Sequence, residues 1–82
     1  MKARVYVWMK STVLDPQGKT VCSALQGHGH KMVADVRQGK YFEIALAPGT
    51  DREKAAVEMD IVAKDVLSNP VIEDYRVEII DL

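Results

Sequence analysis

The stretch KARVYVWMK alternates from its start. Ala3, Val5, Val7 and Met9 fall on one side, and Arg4, Tyr6, Trp8 and Lys10 on the other. A period of two marks a half-buried strand, predicted over 2–10. Asp15-Pro16 then reads as an N-cap followed by proline at the first helical position. The pattern predicts a helix over about 16–26, with Val21, Ala24 and Leu25 as its apolar stripe, Cys22 beside them, and Gly27 and Gly29 ending it. Further on, Thr50 or Asp51 is placed to cap a second helix, with Glu53 completing a capping box after Thr50. Ala55, Met59, Val62, Ala63 and Val66 make its buried stripe, and Ser68-Asn69-Pro70 breaks it. The last strand is 71–80, VIEDYRVEII, entered by Val71 and Ile72 and carrying Tyr75, Val77 and Ile79 on one face.

Between the helices lies VADVRQGKYFEIAL, 33–46, strand-forming throughout but interrupted by Arg37-Gln38-Gly39-Lys40. Fully extended, it spans roughly 46 Å, against a radius of gyration of about 12 Å expected for a compact chain of this length. A straight strand therefore projects from the body. A three-residue hairpin loop at Arg37-Gln38-Gly39 resolves this, with glycine at the left-handed position of a G1-bulge turn. In that register Ala34 faces Phe42 and Met32 faces Ile44. The other solution is one long bent strand leaning on a second subunit.

The order strand, helix, strand, strand, helix, strand is the α+β, ferredoxin-like β-α-β-β-α-β pattern, an antiparallel sheet with both helices on one face. The second sheet face is left open, bearing Arg4, Tyr6, Trp8 and Lys10 with Tyr41 and Glu43 as neighbours. Aromatic side chains between cations on an uncovered face have the composition of an interface hot spot. Tyr6, Trp8 and Tyr41 are therefore expected at a dimer interface.

Size supports an oligomer. With 82 residues the chain is one domain, 1–82, of a size that buries only about 60% of its unfolded surface. Cys22 is the only cysteine, so no internal disulfide can staple it, and a lone thiol fits a reducing, cytoplasmic setting. No apolar run approaches the roughly 20 residues of a membrane span, and the alternating start lacks a signal-peptide core. A net charge of −1 from 11 basic and 12 acidic residues argues against bulk electrostatic binding to nucleic acid.

Catalytic signatures are missing from the sequence, so no catalytic residue and no metal ligand is assigned. GHGHKM begins like a dinucleotide fingerprint but lacks the third glycine and follows a predicted helix where a strand is required. His28 and His30 have no cysteine partner at zinc spacing. Ser11, Ser23 and Ser68 lack a nucleophile elbow, and Cys22 reads as an inert thiol beside the core stripe. Glu73 and Asp74 point to opposite faces of a strand, which makes a poor acid–base pair. Arg37 and Lys40, flanking the turn, read as solvated cations or as partners for acidic groups on another chain.

VLDPQG at 13–18, VADVRQGKYFEI at 33–44 and VIEDYRVEI at 71–79, in that order and spacing, resemble the PurS family, small subunits of phosphoribosylformylglycinamidine synthase. HGHKM departs from the family pattern at the exit of the first helix. The resemblance implies a dimeric, non-catalytic bridge in purine synthesis, with exchanged or shared sheet elements and a possible tetramer when free. It implies partners too: a PurQ glutaminase that releases ammonia from glutamine, and a PurL synthetase that uses ATP with magnesium to convert the formylglycinamide ribonucleotide to the formylglycinamidine. The family's motif residues here are Asp15, Pro16, Gly18, Val36, Arg37, Gly39, Lys40, Glu73, Asp74, Tyr75 and Arg76. Of these, Arg37, Lys40, Asp74 and Arg76 are the candidate partner contacts. Two other readings compete: an RNA-binding module stacking bases on Tyr6 and Trp8, and a small-molecule sensor with a site at glycine-rich 27–29.

Overall fold

The structure, a computed structural model, describes residues 1–81. The chain is α+β, with an antiparallel sheet and two helices. Its elements are β1 (Lys2–Met9), α1 (Pro16–Gly27), β2 (Gly39–Ala45), α2 (Arg52–Val62), continued by a π-helical turn (Ala63–Leu67), and β3 (Glu73–Ile80). The strand order is β2-β1-β3, both neighbours antiparallel to β1. Tyr6 stands opposite Tyr41 on one side and Arg76 on the other, and Val5 lies between Phe42 and Val77.

The alternation in β1 sorts its side chains as expected. Ala3, Val5 and Val7 are buried, and Ala55, Met59 and Ala63 are buried on α2 and its continuation. Phe42, Ile44, Leu67, Tyr75 and Val77 close in around Val5, Val7 and Ala63. A fully buried valine contributes about 1.5–3 kcal/mol, so this small core carries much of the fold. Asp51, not Thr50, caps α2, its side chain accepting from the Lys54 N–H at 3.2 Å. The Thr50 hydroxyl instead donates to the Ala47 carbonyl, which removes it from the expected capping box. The π turn corrects a second expectation: Val66 is 73% exposed rather than buried. A wider turn rotates the chain less per residue, so the helical phase lags; Val66 stays outward and Leu67 takes the core-facing position. Val71 and Ile72 precede β3 and are exposed.

The largest correction concerns 33–46. No hairpin forms at 37–39. Residues 33–38 pair with no strand among the described residues, so the sheet has three strands where four were expected. Of the two helices expected on one face, α2 packs against β3; among the described residues α1 makes no substantial contact with the sheet. It stands off with its return segment as an arm. The Gln26 side chain donates to the Val33 carbonyl at 2.8 Å, and the Val36 carbonyl lies on Gly18. From Gly18 to Gln26 the helix rises about 12 Å. The return from Val33 to Val36 can reach about 11 Å, and these two anchors lay it alongside α1.

The chain is therefore elongated, with principal extents of 50 × 29 × 14 Å and a radius of gyration of 16.1 Å. It exposes 5775 Å², where a compact chain of this size exposes about 4,900 Å². The excess of roughly 900 Å² matches what one partner buries in a standard protein–protein interface, about 800 Å².

Candidate assembly surfaces

Three features hold the polar and aromatic side chains that the core does not use: the open sheet face, the free edge of β2, and the joint where the arm meets the body.

On the open face the register brings Tyr6, Trp8 and Tyr41 together with Asp74 and Arg76. The Tyr6 and Tyr41 rings are 5.2 Å apart at a 43° tilt, and the Arg76 guanidinium lies 4.6 Å above the Tyr6 ring. Arg76 also pairs with Glu78 at 2.8 Å. Lys10 holds Asp74 at 2.8 Å beside Trp8, which is 38% exposed. Lys2 donates to Glu43 at 2.8 Å and the Tyr41 hydroxyl donates to the same carboxylate at 2.9 Å. The Lys2 bond, then the Tyr41 bond, hold the Glu43 carboxyl below its ordinary pKa. Partial burial, then the bond to Glu43, push the Tyr41 hydroxyl up. Arg4 Nε is the one buried side-chain polar atom without a partner among the described residues. Exposed ion pairs add little to stability, so this face is organised beyond what folding needs. Arg76 occupies the space over Tyr6 that a stacked base would take.

The other two candidate contact residues lie elsewhere. Lys40 is on the opposite sheet face, 3.7 Å from Glu73. Arg37 is not a free cation. Its guanidinium donates to the carbonyls of Lys10 at 2.5 Å, Val13 at 2.9 Å and Met9 at 3.4 Å.

That clasp is half of the joint. Asp15 supplies the other half and is 3% exposed. One oxygen caps α1 by accepting from the Gly18 N–H at 2.9 Å, and the other accepts from the Gln38 N–H at 2.7 Å. These two bonds, with Arg37 nearby, hold its pKa below the ordinary aspartate value against the opposing effect of burial. Gln38 also reaches Gln17 at 3.0 Å. Gly18 has no room for a side chain against the Val36 carbonyl, and Gly39 has none against the Val7 carbonyl. Gly39 has no positive φ; close approach, not a left-handed turn, is what requires glycine there. The motif residues Asp15, Gly18, Val36 and Arg37 thus converge on one spot, with Gln17 and Gln38 added. The sequence marked the cap; the Asp15–Gln38 bond, which spans 23 positions, leaves no local signal.

β2 is at the sheet edge, and its outer side has no strand partner among the described residues. His28 and His30 are exposed near the arm's tip, and Cys22 is a half-buried free thiol. Among the described residues no three His, Cys, Asp or Glu side chains gather as a metal site, and no helix is long and apolar enough to cross a membrane.

An open edge, a charged aromatic face and a projecting arm define a class: a small α+β subunit built for contact with other chains. The chain belongs to the PurS family, whose model, described as phosphoribosylformylglycinamidine (FGAM) synthase, matches residues 2–81. The phosphoribosylformylglycinamidine synthase subunit PurS of Bacillus subtilis is 43% identical, over 95% of this chain and 90% of that protein. The subunit of the same name from Synechocystis is 44% identical, over 93% of this chain and 75% of that protein. Among solved structures, PurS of B. subtilis matches with a TM-score of 0.78 at 42% identity, over 94% of each chain. A chain from the structure of PurLQS from Thermotoga maritima matches with a TM-score of 0.83 at 30% identity, over 94% of this chain and 93% of that one.

Proposed function

We propose that this chain is the small subunit of a phosphoribosylformylglycinamidine synthase in purine biosynthesis, a cytoplasmic ligase complex to which it contributes contacts and no catalytic group. The observation that carries the reading is the full-length match to PurS chains in both sequence and fold. In this role the chain bridges a PurQ glutaminase and a PurL synthetase, and helps keep ammonia from glutamine on its path to the ATP-activated amide. ATP, magnesium and glutamine are used by those partners.

The working unit is a homodimer made by strand exchange, with a tetramer as a further free state. The extended segment 33–38 of one copy adds to the free edge of β2 in the other, supplying the fourth strand of each half. Three features support this: the unpaired segment, the open edge, and the roughly 900 Å² of excess surface. The open face, with Tyr6, Trp8, Tyr41, Asp74 and Arg76, is then the second contact surface, for a further dimer or for the enzyme subunits. Lys40 lies nearer the exchanged edge.

The test is reconstitution with the synthetase and glutaminase subunits, with ADP and glutamine present during assembly. Glutamine-supported synthesis is expected to need this chain, and ammonia-supported synthesis to proceed without it. Full glutamine-supported synthesis in its absence would refute the reading.

A further inference from the structure

We infer that the joint of Asp15 and Arg37 makes this chain give its arm to a second copy instead of folding it back on itself. The inference rests on the strand-exchange reading above and adds the device that enforces it. For the chain to complete its own sheet, residues 37–39 would have to reverse direction and lay 33–36 along the edge of β2. Each residue from Val36 to Gly39 is instead held at the loop between β1 and α1 or at the end of β1. The Val36 carbonyl lies on Gly18, and Gly39 sits against the Val7 carbonyl. Arg37 is spread over three carbonyls of residues 9–13. The Gln38 N–H is bound by Asp15.

A reversal breaks all of these at once. It leaves the buried Asp15 carboxylate with one oxygen unpaired, which is strongly disfavoured, and it takes the carbonyl acceptors from the exposed Arg37 guanidinium. The joint also fixes where the arm points. The segment leaving it runs along α1, away from its own β2 edge, with Gln26 securing the far end at Val33. Exchange of an identical element between copies is a low-cost route to a dimer, and a joint that disfavours the closed form leaves the arm free for it. The occupant of the free edge is therefore a second copy of this chain, whose arm carries the same extended segment in the same fixed direction.

The experiment is sedimentation velocity across a broad concentration range on the full chain, with circular dichroism for fold and hydrogen exchange at amides 33–38. Asp15→Asn keeps the shape but can accept only one of the two N–H bonds. Arg37→Met keeps the stem and removes the guanidinium. Arg37→Lys keeps the charge, but places it on a different stem as a compact ammonium in place of the planar guanidinium whose Nη2 reaches these carbonyls. The wild type is expected to be a dimer. Asp15→Asn and Arg37→Met are expected to stay folded, raise the dimer dissociation constant at least tenfold and speed exchange at 36–38, with Arg37→Lys between. Lys40→Ala, outside the joint, is the control expected to keep the wild-type constant. Folded variants with the wild-type dissociation constant overturn the inference and leave the dimer standing. A monomeric wild type overturns the dimer reading and the inference with it. Should Asp15→Asn fail to fold, Arg37→Met decides, because it leaves the helix cap intact.

Discussion

The body and the arm of this protein are held together by different means. The body, three strands with α2, is a small apolar core: Val5 and Val7 are fully buried against Ala63, and Ala55 and Met59 are buried on α2. In the arm, α1 and its return to Gln38, only Asp15 and Gly18 are buried, and both belong to the joint. Met32 near its tip is 90% exposed, and Val21 and Ala24 on its stripe are exposed too. The body gains from burial whether or not another chain is present. The arm is directed by hydrogen bonds and close glycine contacts, and its own apolar surface finds no cover within the chain. Apolar area fixes how tightly a region holds, while directional polar contacts fix where it points.

The comparison breaks most completely at the core. Val5→Asp places an unpaired charge at the centre of the sheet, and a loss of about 4 kcal/mol or more is expected, read as collapse of the urea unfolding transition. Gly39→Val brings a branched side chain against the Val7 carbonyl, where body and joint meet. Overpacking there should cost about 2 kcal/mol, seen as a lower urea midpoint.

Acid sharpens the contrast, because it reaches the joint through Asp15. The Gly18 and Gln38 N–H groups, then Arg37, favour its ionised form in the folded chain. That stabilisation is present in full above the ordinary aspartate pKa of about 4. It is lost as pH falls through that value toward the lower native one. Between pH 5 and pH 3 the wild-type urea midpoint should fall further than that of Asp15→Asn, which has no carboxylate to protonate. Equal slopes would show that the joint adds no acid sensitivity.

On the open face the effect on folding is smaller. Arg76→Ala removes the cation over Tyr6, for about 0.5 kcal/mol of stability. Its larger consequence is expected in reconstitution, as weaker binding of the synthetase and glutaminase subunits in a pull-down titration. Unchanged binding would remove this face from the assembly. Val66→Ser should do least, within about 0.5 kcal/mol, since the π turn has already turned that residue to solvent.

The body was legible in the sequence because its signals are local. Alternation at 2–9 marks the central strand, Asp15-Pro16 marks the start of α1, and Ser68-Asn69-Pro70 ends the second helix. The arm was harder to read. A strand segment carries the same pattern whether its partner is its own chain or another, so 33–38 looked like half of a hairpin. Gly39 looked like a turn residue because glycine signals both positive φ and close approach. Arg37 looked like a surface cation because its acceptors are main-chain carbonyls, which leave no trace in residue type. The π turn that exposes Val66 has no compositional mark either. On the open face, alternation alone placed Tyr6 and Trp8 together, while the seat of Arg76 over Tyr6 depends on a register that single strands do not declare.

The joint draws every one of its groups from residues 7–39. A chain emerging from the ribosome, N-terminal end first, therefore has all of those groups while β3 is still unmade. β1, which ends between two neighbours, at that stage lacks at least one of them. A nascent copy can set the direction of its arm before it has a finished sheet against which the arm could close.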